Sequence, residues 1–292
     1  MAETAAIDRR RHAAEQLAAT LPPLLVAAER IAATVAQGVH GRRRVGTGDA
    51  FWQFRPYQPG DAVSRIDWRQ SAKSQRVFLR ETEWEAAQSV WLWRDASASM
   101  NWRSARVLQT KIERAELLLL ALAVLLLRAG EHVALYGLDR TARGGRGASI
   151  RLADRLSHDK SANSLPPPEP LPAHSNVVMF GDFLAPLPEI EATVRGLAAR
   201  RVNGHLLQIV DPAEETLPYG GHVRFEGLEA EGVITLPRVE QSRADYLTRF
   251  QSQHEGVAAI ARASGWTYSR HHTDRPAQTA LLALYGALSP TI

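Results

Sequence analysis

The stretch Ser89-Val90-Trp91-Leu92-Trp93-Arg94-Asp95-Ala96-Ser97-Ala98-Ser99-Met100 decides the fold of this chain. Its first half is an apolar run and predicts a buried β-strand. Asp95, Ser97 and Ser99 follow at alternate positions, so three side-chain oxygens can converge at the strand's C-terminal end. A helix is expected to begin a few residues later. Hard divalent cations such as Mg²⁺ take oxygen ligands and leave positions open to water or to a partner's carboxylate. The same residue types also cap helices, because Asp and Ser side chains accept from free backbone N–H groups. The motif alone leaves both readings open.

Downstream, the pattern alternates. The spacing predicts a mostly apolar helix over 110–128, closed by Gly130, and a strand over 132–138. The stretch 141–156 is ambiguous, and 161–175 is a Pro-rich connection. Then follow a buried strand over 176–182 that ends in an acid, a helix over 188–201 and a strand over 205–212. A short hairpin is expected from 222–225 and 232–236. An amphipathic helix over 243–264, a strand over 266–270 and a helix over 276–288 complete the order. Strands alternating with helices imply a mostly parallel sheet flanked by helices, a Rossmann-like α/β fold. Ligands bind beyond the carboxyl ends of such strands. Asp95 and Asp182 both stand there. If their strands are neighbours, Asp95, Ser97, Ser99 and Asp182 can share one cation, with carboxylates acting directly or through water.

Upstream, apolar residues recur at helical spacing over 7–37, interrupted by Pro22-Pro23 and stopped at Gly38. The next segment is glycine-rich and basic, with Arg42-Arg43-Arg44. The stretch 51–85 is dense in Trp, Tyr, Arg and Asp, with a Pro59-Gly60-Asp61 turn and a strand near 77–82. The organisation expected is therefore an N-terminal helical extension (1–45), a segment packed on the main domain (46–88) and an α/β domain (89–292).

Composition narrows the chemistry. The 292 residues include no Cys, which excludes thiol catalysis, Cys-based zinc sites and disulfides. The net charge of +4 is too small for this length to argue for nucleic-acid binding. Almost all the positive charge is Arg; the lysines are Lys73, Lys111 and Lys160. The first residues lack the basic, apolar and small-residue order of a signal peptide. The longest apolar run, 117–127, is far short of the roughly 20 residues of a membrane span. A cytoplasmic protein is expected.

The array Arg55-x-Tyr57-x-Pro59-Gly60-Asp61-x-x-x-Arg65-x-Asp67-Trp68-x-x-Ser71-Ala72, then Glu85, then Asp95-x-Ser97-x-Ser99-Met100, closely resembles the "domain of unknown function 58" family. That family is similar to von Willebrand factor A-like domains. The resemblance implies an A-domain fold with a metal-ion-dependent adhesion site at Asp95, Ser97, Ser99 and Asp182. It also implies partnership with a MoxR-type AAA+ ATPase and a protein client in chaperone-like complex assembly or maturation. Such sites normally add a Thr from another loop, for which Thr141, Ser161 and Ser164 are candidates. Arg94 stands where the family usually has an apolar residue.

The expected function is thus a non-enzymatic interaction module that holds Mg²⁺ or a similar ion. Its rivals are a metal-dependent phosphodiesterase or nuclease using Asp95 and Asp182, and an A-domain that binds partners without metal. The array 55–72 reads either as a binding surface or as a structural knot, in which Arg55 or Arg65 pairs with Asp61 or Asp67 and Trp68 packs over them. The glycines at 144–147 are not a P-loop, since no Gly-Lys-Ser/Thr follows. His271-His272 shows no ligand spacing and is expected at the surface. Ser97 lacks the Gly-x-Ser-x-Gly elbow of a catalytic triad.

Overall fold

The computed structural model describes residues 28–32, 35, 45–58, 61, 66–73, 76–83, 88–106, 108–145, 147–229 and 232–288. The chain forms two compact units, one of 1–38 with 89–292 and one of 39–88. Of the N-terminal helix expected over 7–37, residues 28–32 and 35 are described and helical. Pro22-Pro23, Gly38, the Arg42-Arg43-Arg44 run, Pro59-Gly60, Arg65 and Glu85 lie outside the described residues.

In the larger unit, five strands form one parallel sheet. They are β3 (Ser89–Arg94), β4 (His132–Leu135), β5 (Asn176–Gly181), β6 (Asn203–Val210) and β9 (Thr267–His272), ordered β4-β3-β5-β6-β9. Val90 to Trp93 and Val177 to Phe180 are buried, as expected for strands covered on both faces. The order reverses between β3 and β5, which is the switch point where a doubly wound sheet opens a crevice. Asp95 and Asp182 stand immediately past those two strands.

Helices cover both faces. On one side lies α2 (Lys111–Arg128), packed against the sheet, α3 (Ala148–His158) and α7 (Ala277–Leu288). A reciprocal capping box starts α2: Thr110 accepts from the Glu113 N–H, and Glu113 accepts from the Thr110 N–H. Leu117 to Leu126 are all buried, so this helix is interior nearly all round. On the other side, α4 (Leu187–Ala198) and α6 (Val239–Ala263) close a core of Trp91, Trp93, Met179, Ile190, Leu206, Val257 and Trp266. A short helix, α5 (Pro212–Thr216), follows β6, and the hairpin β7 (Val223–Glu226) and β8 (Val233–Leu236) precedes α6.

Several boundaries differ from expectation. The Asp95 motif is followed by one 3-10 turn, Ala98–Asn101, and the next helix begins only at Lys111. The ambiguous stretch after Thr141 contains α3. Helix α6 starts at Val239, ahead of the periodic stretch that announced it. His271 is buried rather than at the surface, because β9 carries it under α7. Among the described residues, no helix is long and apolar enough to cross a membrane.

In the smaller unit, β1 (Val45–Pro56) pairs antiparallel with β2 (Phe78–Glu83), with register shifts between Gly46 and Gln53. The array 55–72 is a local knot here. Arg55 binds Asp61 through two hydrogen bonds of 3.0 and 2.9 Å, and Asp61 also accepts from the Gln58 N–H. Asp67 caps α1 (Trp68–Ser71) by accepting from the Gln70 N–H, rather than pairing with an arginine. Ser71 Oγ accepts from the Phe78 N–H and donates to the Asp67 carbonyl. Trp68 does not pack over the ion pair; it is 65% exposed.

Candidate functional site

The end of β3 delivers Asp95 into a fully buried position. Its main-chain N–H donates to the Phe180 carbonyl at 2.7 Å, which ties the loop to β5. Asp95 Oδ1 accepts from both the Ser97 N–H (2.8 Å) and the Ser97 hydroxyl (2.6 Å). Ser97 Oγ lies 3.0 Å from Ser99 Oγ, and the Ser99 hydroxyl donates to Asp182 Oδ2 at 2.7 Å. The four residues expected from sequence therefore form one continuous chain: Asp95, Ser97, Ser99, Asp182. The helix-capping reading fails for Ser97, which makes no side-chain cap bond at the turn it precedes.

Proton accounting shows what this chain can do. With both carboxylates ionised, each serine proton is committed to a carboxylate. The Ser97–Ser99 contact then sets two lone-pair oxygens against each other with no proton between them. Asp95 Oδ2 is buried and has no hydrogen-bond partner. Oxygen lone pairs thus converge without a donor, which suits a hard cation. With Asp95 protonated, the same atoms become a one-way relay from Asp95 through both serines to Asp182. Burial pushes the Asp95 carboxyl up to about 7, and the Asp182 charge adds to the effect.

Two residues that sequence reasoning passed over complete the site. Lys111, at the start of α2, is 1% exposed and donates to Asp182 Oδ2 (2.8 Å) and to Glu214 Oε1 (2.6 Å). Burial works to lower the Lys111 pKa, but Asp182 and Glu214 outweigh it and hold the ammonium above its ordinary value. Glu214 is pushed up by burial, with Lys111 opposing. Its second oxygen accepts from the Asp211 N–H, which fixes it at the start of α5. With all three carboxylates (Asp95, Asp182, Glu214) ionised against the one ammonium, two negative charges remain, the amount one divalent cation neutralises. Among the described residues no three His, Asp or Glu side chains form a group that could by itself hold a metal ion.

The backbone around the site is held from behind. Gln208 donates to the Asp182 carbonyl at 2.6 Å and is itself bound by His254 and Tyr268. Gln253 on α6 donates to the carbonyls of Phe183 and Ala185. Gly181 is required by close approach: a Cβ there would lie 2.9 Å from the Asp95 Cβ. Gly181→Ala is therefore expected to cost about 1–3 kcal/mol, as overpacking does. It should also displace Asp95, which urea unfolding combined with Mg²⁺ titration would read out.

Arg94 proves to serve a different place. Its guanidinium is buried between Glu116 on α2 (2.8 Å) and Asp159 after α3 (3.1 Å). The charge that interrupts the apolar strand is thus answered away from the Asp95–Asp182 cluster. None of Thr141, Ser161 and Ser164 is hydrogen-bonded to the cluster among the described residues; Ser161 instead binds Asp159. The added contact comes from Glu229 in the β7–β8 hairpin, whose Oε1 accepts from the Ser99 N–H at 3.2 Å.

Comparison with known proteins gives relatives without an assigned role. Uncharacterised proteins of Mycobacterium tuberculosis and Mycobacterium bovis are 25% identical over 281 residues, covering 89% of this chain and 86% of theirs. Two solved structures align with a TM-score of 0.40 each. One is the conserved hypothetical protein BatB from Bacteroides thetaiotaomicron, 16% identical, covering 68% of this chain and 98% of that one. The other is an aerotolerance-related membrane protein from Bacteroides fragilis, 17% identical, covering 69% and 98%. The profile described as "Protein of unknown function DUF58" matches residues 53–256, and the chain belongs to that family.

Proposed function

We propose that this chain is a non-enzymatic protein-interaction module of von Willebrand factor A-like type, whose Asp95, Ser97, Ser99 and Asp182 hold Mg²⁺ or a similar divalent cation. The observation that carries the reading is the unpartnered, buried Asp95 Oδ2 beside two serine oxygens whose protons are committed elsewhere. Asp95 and Asp182 orient the hydroxyls by accepting their protons, so the remaining lone pairs face the ion. Lys111 and Glu214 hold Asp182 in place and set the charge balance. The bound ion would supply an open coordination position for an acidic side chain of the partner. A MoxR-type AAA+ ATPase supplies the energy and this chain supplies recognition of a client.

A two-metal hydrolase needs several carboxylates bridging ions about 3.5–4 Å apart. Here Asp182 Oδ2 is already taken by Lys111 and Ser99, which favours a single ion. The test is complex formation between this chain and the ATPase in Mg²⁺, in EDTA and with Asp95→Ala. Binding that requires Mg²⁺ and Asp95 is expected. Binding indifferent to both would overturn the reading, as would Mg²⁺-dependent cleavage of DNA or RNA lost in Asp95→Ala.

A further inference from the structure

The five-stranded sheet ends at β9, and the chain turns there into α7. Between β9 and α7 lies an open cavity of about 360 Å³. Arg270, His272 and Arg275 stand around it, with the hydroxyls of Ser269 and Thr279. Its polar groups are short of acceptors. His271 is 4% exposed and lines the cavity, and among the described residues its Nε2 has no hydrogen-bond partner. The buried Thr273 Oγ1 and Arg114 Nε, at the same turn, also lack partners among the described residues. Arg114 ties that turn to α2 by donating to the Thr273 and Arg275 carbonyls. The first N–H groups of a helix have no partner within it and attract anions. The first turn of α7 carries no acidic residue to meet them.

Charge points the same way. Glu215 on α5 takes Arg270 at 3.0 Å and His272 at 3.4 Å. Asp274 stands 3.9 Å from Arg275, an exposed pair worth little. Arg114, Arg270 and Arg275 against Glu215 and Asp274 leave one positive charge. Burial, then Arg114 and His272, push His271 down to about 4. Its ring is therefore neutral near pH 7 and sits among cations.

We infer that the cavity between β9 and α7 binds a phosphoryl oxyanion, either free or carried on a compact organic body. A tetrahedral anion presents oxygens in several directions, which suits donors on a strand end, a turn and a helix start. Arg275 is the guanidinium with the weakest tie of its own, so it closes on the anion. Ala280 and Ala283 keep the α7 wall shallow and leave room beside the anion for an organic group. This site is independent of the cation reading proposed above and of opposite charge.

The experiment titrates inorganic phosphate, phenyl phosphate and benzyl alcohol into the full chain by calorimetry, with the His271 ring followed by NMR. EDTA is present, and Asp95→Ala serves as a control, so that no ion at the Asp95 cluster can bridge to phosphate. Both phosphates should bind and shift the His271 ring signals, and benzyl alcohol should do neither. Arg275→Gln should weaken both phosphates about tenfold, as loss of a charge-assisted hydrogen bond does. Ala283→Phe should weaken phenyl phosphate alone, because it fills the space that an organic body needs. Arg275 and Ala283 are exposed, so both variants keep the fold. Tighter binding of phenyl phosphate assigns a phosphate monoester; tighter binding of inorganic phosphate assigns the free ion. Failure of both phosphates to bind overturns the site. So does binding that Arg275→Gln leaves unchanged or that benzyl alcohol matches.

Discussion

Replacing Lys111 by Met will cost about 3–5 kcal/mol of stability in EDTA, the range for removing one member of a buried ion pair. The ammonium is 1% exposed and holds Asp182 and Glu214 at 2.8 and 2.6 Å. Met conserves the stem and removes only the charge, so packing changes little. What remains is three carboxylates with no cation among them, two of them joined to the rest of the site through Ser97 and Ser99. Mg²⁺ should therefore stabilise Lys111→Met by more than it stabilises the unmodified protein, because it meets three negative charges rather than two. Adding Glu214→Gln removes one orphaned charge and should recover part of the loss in EDTA. Urea unfolding of the three proteins with and without Mg²⁺ measures all of this. Equal stability of Lys111→Met and the unmodified protein in EDTA would mean that the ammonium is not what balances the site.

Lys111 also shows why half of the site was hidden from a reading of the chain. Asp95 and Asp182 were legible because each follows a strand with an apolar run at its centre, and parallel strands place their carboxyl ends together. The serines were legible from their alternate spacing. Lys111 and Glu214 meet across 103 residues, and no local period records such a meeting. One physical signal was present. A lysine in the first turn of an apolar helix opposes the helix dipole, which favours acids there. In a chain with three lysines, such a placement calls for an acid opposite. Glu214 carried a weaker sign, the Asp211-x-x-Glu214 capping box. In the smaller unit, β1 was missed because Gly46 and Gly48 weaken strand propensity and its register shifts break the two-residue alternation. Trp68 was misplaced for the opposite reason: an aromatic beside an ion pair suggests cover, yet Asp67 spends its carboxylate on a cap.

The second large effect is on pH, and its sign is unusual for a carboxylate. Asp95 is pushed from 3.8 to about 7, first by burial and then by Asp182. Between those values the folded protein binds a proton at Asp95 that the unfolded chain does not. Stability therefore falls as pH rises through this window and is flat beyond it on either side. Asp95→Asn keeps the shape and removes the titration. In EDTA at pH 8 it should be more stable than the unmodified protein by a few kcal/mol, and near pH 4 the two should agree. On the proposed cation reading Mg²⁺ should reverse the ranking at pH 8, because an ionised carboxylate holds the ion more strongly than the neutral amide does. The stabilisation that Mg²⁺ confers on the unmodified protein must then grow with pH across the same window, as proton and ion compete for Asp95. Unfolding curves from pH 4 to 8, taken as the difference between the two proteins in EDTA and in Mg²⁺, report the titration of Asp95 together with its effect on Asp182 and Lys111, which it faces. A difference that does not change with pH in EDTA would show that Asp95 is ionised throughout. The relay through Ser97 and Ser99 would then never form, and the serine oxygens would face each other at every pH.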